Sequence, residues 1–239
     1  MPNPLTYKQY GESAILIEWP EVIDDTILNE IIVFNNKIKQ ALETKIQDTI
    51  IGYNSLTILY SNEIKDLRKE CEYLKSLAAI NASEIKTNSK TWSIPVCYDE
   101  MFGIDLGELS ARLKLSKKEI IERHSAPLYK VFFIGFLPGF IYLGGLDNTL
   151  FVPRKENPRL HIQKGSVGIG GSQTGIYPSN SAGGWNIIGR TPIQLFDVEQ
   201  SEPCFVRSGD SIQFEPISLE KFRAFESDNT LTSQFFPHD

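Results

Sequence analysis

An α+β chain in two units is what the sequence predicts, and three observations predict it. Residues 13–60 alternate a β-favouring run, a helical period and two more β-favouring runs. Residues 130–215 hold only short apolar runs broken by Gly, Pro, Asn and Ser. Between these patterns lies a polar, poorly periodic stretch, "NASEIKTNSK" (81–90). Apolar residues at steps of three and four mark one helix face, and alternation marks one sheet face, so the change of period is a change of architecture.

In the first unit, "SAILIE" (13–18) reads as a strand. Ile27, Ile31, Phe34, Ile38 and Leu42 then recur at helical steps, with Asp24 and Asp25 at the start, where carboxylates satisfy free N–H groups. "DTIIGY" (48–53) and "SLTILY" (55–60) read as two strands parted by Asn54. Ile64, Leu67, Cys71, Leu74 and Leu77 mark a second amphipathic helix. The β-α-β-β-α order predicts a small ferredoxin-like layer. A boundary near residue 88 gives units 1–88 and 89–239.

The second unit opens with a strand, "TWSIPVCYD" (91–99). Leu106, Leu109 and Leu113 lie on one short helix, and Ile120, Ile121 and His124 on another whose start is set by the S-x-x-E capping box of Ser116 and Glu119. From Lys130 the runs "KVFFIGF", "SVGIGG", "NIIG", "IQLFDV" and "SIQFEP" predict a β-barrel or a sandwich. "SLEKFRAFE" predicts a last helix.

Composition excludes several classes. Hydrophobic residues make up 41% and charged ones 23%, the balance of an ordinary globular protein. A net charge of −6 argues against nucleic-acid or anionic-membrane partners, which need a basic face. Cys71, Cys97 and Cys204 are odd in number and lack C-x-x-C spacing, so neither a disulfide framework nor a zinc ribbon is readable. The first residues, "MPNPLTYKQYGE", lack a charged start followed by an apolar core, and no run approaches ~18 apolar residues. These features predict a cytoplasmic protein.

The chemistry concentrates in the second unit. Twelve of the 17 glycines lie between Gly135 and Gly189, among them those of "FFIGFLPGFIYLGGL" (132–146). Lys130, Arg154, Lys155, Arg159, Lys164 and Arg190 outnumber Asp147 and Glu156, so this window is locally +4. Exposed N–H groups beside guanidinium forks suit an anionic ligand, although barrel corners also use glycine. No Gly-Lys dipeptide exists and "GSVGIGGSQTG" (165–175) does not satisfy G-x-G-x-x-G, which argues against a P-loop or dinucleotide fingerprint. Three histidines without H-E-x-x-H predict no metal site in the protein, and Ser172 in G-G-S-Q-T is no nucleophile elbow. His124 reads either as a packed helix residue or as a general acid or base. Trp185, between glycines and Asn186, and Tyr177, before Pro178, read equally as ligand-facing or buried aromatics.

Four stretches, "HSAPLYKVFFIGFLPGFIYLGGL" (124–146), "VPRKENPR" (152–159), "GSVGIGGSQTGIYP" (165–178) and "SAGGWNIIGRTP" (181–192), resemble the KipI family, also described as allophanate hydrolase subunit 1 and as the B component of bacterial 5-oxoprolinase. "YGESAILIEW" and "GYNSLTILY" are similar to its N-terminal domain. Where many relatives read V-P-A-G-S-V and S-P-G-G-W, this chain has Ile162-Gln163-Lys164-Gly165-Ser166-Val167 and Ser181-Ala182-Gly183-Gly184-Trp185, which loosens two turns.

The resemblance implies a ferredoxin-like first domain and a cyclophilin-like β-barrel second. It implies a hydrolase subunit, inactive alone, that joins a larger paralogous cyclophilin-like subunit (the C component) and a LamB/YcsF-like one (the A component) to convert 5-oxoproline, ATP and water into L-glutamate, ADP and phosphate. ATP is then the cofactor, with Mg its candidate companion. Two alternatives remain at this stage: an inhibitor that binds a sporulation histidine kinase, and a subunit of an allophanate hydrolase or urea carboxylase type of amide-processing enzyme. Phosphoryl transfer rests on positioning and charge stabilisation, so His124, Arg154 and Arg190 are the expected catalytic set. Arg159 would join the other arginines on phosphate or carboxylate oxygens. Gly165, Ser166 and the turn they begin would donate N–H groups. Phe136, Pro138 and Gly139 would form one wall, and Gln173, Thr174, Tyr177, Trp185 and Asn186 would shape the pocket around the small-molecule substrate.

Overall fold

The computed structural model describes residues 5–79 and 89–227. The chain divides into two units, Met1–Asn88 and Ser89–Asp239. Most of the polar stretch 81–90, with the expected boundary at 88, lies outside the described residues.

The first unit runs β1 (Thr6–Gln9), β2 (Ala14–Glu18), α1 (Asp25–Ala41), β3 (Ile46–Ile51), β4 (Ser55–Tyr60) and α2 (Leu67–Ala79). Its antiparallel sheet has the order β1-β2-β4-β3. Ile15 and Ile17 of β2 and Leu56 and Ile58 of β4 alternate onto one face, where they bury against Ile31 and Phe34 of α1. Asp24 caps α1, its carboxylate accepting the N–H groups of Thr26 and Ile27 at 2.8 and 3.3 Å. β1 has no counterpart in the sequence reading, because in "TYKQ" only Tyr7 is partly buried, and the strand is held as an edge by its backbone ladder to β2.

The second unit contains β5 (Thr91–Cys97), α3 (Leu106–Leu113), α4 (Lys117–Ser125), β6 (Leu128–Ile134), β7 (Ile141–Gly144), β8 (Arg159–Ile162), β9 (Ser166–Gly170), β10 (Gln173–Ile176), β11 (Ser181–Gly183), β12 (Asn186–Arg190), β13 (Ser211–Ile217) and α5 (Leu219–Ser227). Seven strands close a barrel in the order β10-β7-β6-β13-β5-β12-β9, with β9 against β10 completing the ring. Of the two β architectures the sequence allows, this is the barrel. β5 and β13 pair in parallel from Thr91 opposite Ser211 to Ile217 opposite Cys97. Ile94, Val131, Ile141, Val167, Ile188 and Phe214 are among the residues that fill the interior. The Ser116 hydroxyl accepts from the Glu119 N–H and the Glu119 carboxylate from the Ser116 N–H, so the capping box starts α4 as expected.

One expected strand is corrected. "IQLFDV" (193–198) joins no ladder, although Ile193 and Leu195 still bury their side chains; its alternation reflects packing alone. β8 and β11 form a separate two-stranded sheet, with Ser181 opposite Ile162 and Gly183 opposite Arg159.

The glycines of β9 and β10 have a packing cause. A Cβ at Gly170 would stand 2.8 Å from atoms of the Trp185 indole, and one at Gly175 would stand 2.5 Å from the Ile141 carbonyl oxygen and 3.1 Å from the same indole. Trp185 therefore lies flat on a barrel wall stripped of side chains. Gly175→Ala is expected to lower stability by about 1–3 kcal/mol through overpacking, readable as a shift in the urea midpoint. Among the described residues no helix is long and apolar enough to cross a membrane.

Candidate functional site

The turn between β6 and β7 sets one edge of a hollow on the outside of the barrel. Phe136 adopts a φ of 67° and Gly139 one of 81°, and Phe140 N–H donates to the Leu137 carbonyl at 3.0 Å. A left-handed φ is costly for a bulky residue, and the turn keeps one there. The result is an exposed Phe136 ring set edge-on to Phe140, with centroids 5.7 Å apart. Pro138, also on this turn, is exposed and does not line the hollow.

Phe140 is the hub of an aromatic cluster. Its ring stands edge-on to Tyr177 at 5.0 Å and to Trp185 at 5.4 Å, and leans on Tyr142 at 4.7 Å. These four rings, with Phe136 and Arg154, line an open hollow of about 300 Å³. Pro158 and residues 182–184 complete its rim. The Arg154 guanidinium lies 5.6 Å from the Trp185 ring centroid, and among the described residues it pairs with no carboxylate. Burial pushes the Tyr177 hydroxyl up to about 12, against a lowering by the Trp185 N–H. The phenol is thus a neutral wall at physiological pH.

Arg154 owes its position to its neighbours. Asp105 is buried, and its carboxylate takes a bidentate pair from Arg159 at 2.6 and 2.9 Å, the Ile187 N–H at 2.6 Å and the Lys155 ammonium at 3.0 Å. Lys155 also reaches Glu108 at 2.8 Å, and its N–H donates to the Gly184 carbonyl at 2.6 Å. Asn186 donates to the Pro153 carbonyl at 3.0 Å and the Ile169 carbonyl at 3.2 Å. The segment 153–159 is therefore clamped on both sides of Arg154. Sequence reasoning missed Asp105, Phe140 and Tyr142; the alternation in "GFIYLGG" offered a signal for the last two, and none existed for Asp105, which makes no side-chain cap bond to α3.

The three arginines do not converge, and this corrects the expected site. Arg159 is spent on Asp105. Arg190 lies in a different cleft, where it donates to the Lys164 carbonyl at 2.8 Å, reaches Glu226 at 3.4 Å and packs over Phe102 and Phe222. The expected N–H nest is also overturned. Gly165, Ser166 and Gly171 N–H groups donate to the carbonyls of Tyr177, Gln163 and Val152, and residues 167–170 pair with β10 or β12. Gln173 sits in the β10 ladder opposite Gly170, and neither it nor Asn186 lines the hollow.

His124 is a core residue, which corrects its expected catalytic role. It is wholly buried on α4, stacked on Phe214 with centroids 4.7 Å apart. Thr174 donates its hydroxyl to the Gly168 carbonyl at 3.0 Å, so at 2.8 Å it accepts from the His124 Nε2–H; Nδ1 then accepts from the Tyr98 hydroxyl at 2.8 Å. Burial lowers the imidazole from 6.5 to about 3. The unfolded chain therefore binds the extra proton between those values, and stability is lost as pH falls through the window. The expected loss is about 1.4 kcal/mol per pH unit below 6.5. Urea titrations of wild type and His124→Gln at pH 7 and pH 5 check it, the variant lacking this contribution to the slope.

The chain belongs to the family of the carboxyltransferase domain, subdomain C and D, whose model matches residues 5–206. In this member of the family an aromatic hollow lies on the outer wall of a closed barrel. Its relatives include the B component of 5-oxoprolinase from Bacillus subtilis (strain 168), 34% identical over 235 residues that cover 93% of this chain and 97% of that one. The protein of the same name from Escherichia coli O157:H7 is 36% identical over 206 residues, covering 86% and 93%. Among solved structures, TTHA0988 is similar with a TM-score of 0.74 and 29% identity over 86% of this chain, which spans 40% of that protein's length.

Proposed function

We propose that this chain is the B component of an ATP-dependent 5-oxoprolinase, acting in the cytoplasm with a larger cyclophilin-like C component and a LamB/YcsF-like A component. The net reaction opens the lactam of 5-oxoproline with water to L-glutamate while ATP becomes ADP and phosphate. Likeness over nearly the whole length to two proteins of that name is the observation that carries the reading. In this reading the barrel is cyclophilin-like, and the β2-α1-β3-β4-α2 series is a ferredoxin-like layer with β1 added at its edge.

The geometry supports a protein that is inactive alone. Its hollow is open, carries one free guanidinium among aromatic rings and has no general base within it, since His124 is sealed in the core. ATP would supply the activation that a resonance-stabilised amide needs, and the residues here do not fit that group. Among the described residues no cluster of three or more His, Cys, Asp or Glu is placed to hold a metal ion.

Co-expression with the two partner proteins tests the proposal. Glutamate release from 5-oxoproline is expected only with all three chains and ATP. A complete complex without turnover, beside a lone chain that suppresses autophosphorylation of a sporulation histidine kinase, would replace this reading with the inhibitor one.

A further inference from the structure

Resting on that reading, we infer that the Phe136–Arg154 hollow binds the small monocarboxylate substrate and that the described residues of this chain offer no nucleotide site. Size is the first argument. The hollow measures about 300 Å³, at the lower end of small-molecule sites, whereas ATP has roughly three times the non-hydrogen atoms of 5-oxoproline.

Charge is the second. Lys155 and Arg159 are neutralised by Asp105 and Glu108, which leaves Arg154 as the single cation on the rim among the described residues. One guanidinium fork matches one carboxylate. A triphosphate needs several donors, and in the 165–175 stretch that sequence alone offers for it the N–H groups of 165, 166 and 171 are bonded to carbonyls while 167–170 and 173–175 pair in ladders.

Chemistry of the walls is the third. Phe136 and the half-buried Tyr142, backed by the buried Phe140, present apolar surface suited to the ring carbons of a lactam, with Arg154 beside them to fix the carboxylate. The larger cleft, about 870 Å³, offers no alternative seat for polyphosphate: Lys164 and Arg190 share it with Asp197, Glu202 and Glu226. Two cations against three carboxylates repel such a ligand.

Calorimetric titration of the full chain decides the matter, with L-5-oxoproline, 2-pyrrolidinone and Mg-ATP as probes. Saturable binding of 5-oxoproline is expected, at least about tenfold tighter than the lactam lacking a carboxylate, with no heat from Mg-ATP. Arg154→Gln is expected to remove that advantage, and Arg154→Lys to restore part of it; Arg154 is exposed, so both variants should keep the wild-type circular dichroism. Mg-ATP binding to the chain, or 5-oxoproline binding indifferent to Arg154→Gln, overturns the inference. Binding of another small carboxylate through Arg154, with none of 5-oxoproline, overturns the functional reading and leaves the site standing. If the lone chain binds no probe, the assembled complex decides: Arg154→Gln raising KM for 5-oxoproline and not for ATP upholds the assignment, and an unchanged KM ends it.

Discussion

Asp105→Ala is expected to lower the unfolding free energy of the second unit by about 2–4 kcal/mol, below the usual cost of breaking a fully buried pair because Arg159 can partly reach water. Asp105 accepts from Arg159, Lys155 and the Ile187 N–H at once, and alanine orphans that buried N–H. The urea midpoint reads the loss. Asp105→Asn should cost less, since an amide oxygen can still accept from Ile187. Burial alone would raise the Asp105 carboxyl, yet the hydrogen bonds from Arg159, Ile187 and Lys155 outweigh it and hold the group below the ordinary carboxylate range. Its contribution is therefore complete above the unfolded value, about 4, and disappears as pH falls through the folded one. Because the clamp also aims Arg154, the alanine variant should lose affinity for 5-oxoproline along with stability.

Trp185→Ala should cost about 3–5 kcal/mol, the range for removing a large buried aromatic. The indole is 4% exposed and touches Phe140, Tyr142 and the bare backbone of Gly170 and Gly175. The wall beneath is ladder backbone and cannot follow into the space, so much of the volume stays empty. Thermal unfolding of Trp185→Ala beside Trp185→Phe checks this, with phenylalanine recovering a substantial share. A loss below about 1 kcal/mol would mean that the wall relaxes.

The local elements were the legible part of this chain. Helix α4 announced itself through Ser116 and Glu119, since a capping box acts over three residues, and the apolar runs of β5, β9 and β12 survive any change of partner. The site was legible only in part. Glycines at 168, 170 and 175 signal that something approaches the backbone closely, but sequence cannot say whether it is an anion or an indole; here the N–H groups are in ladders and the indole is the visitor. The arginines look alike in composition. Arg159 is cancelled by Asp105, 54 residues away, and Arg190 by Glu226 and the Lys164 carbonyl, pairings made by tertiary packing between elements distant in sequence. His124 could be read as core or catalyst until Tyr98 and Thr174 took its two nitrogens.

The parallel pairing of β5 with β13 bears on how the protein is made. Thr91 meets Ser211 and Cys97 meets Ile217, while β12 offers β5 a single paired residue, Arg190 opposite Cys97. A ribosome delivers β5 on the order of ten seconds before its main partner. Through that interval the nascent chain displays an apolar strand, with Ile94 and Val96, and nothing to zip it to. Chaperone capture during translation, more than the finished barrel's stability, would then govern how much folded protein a cell recovers.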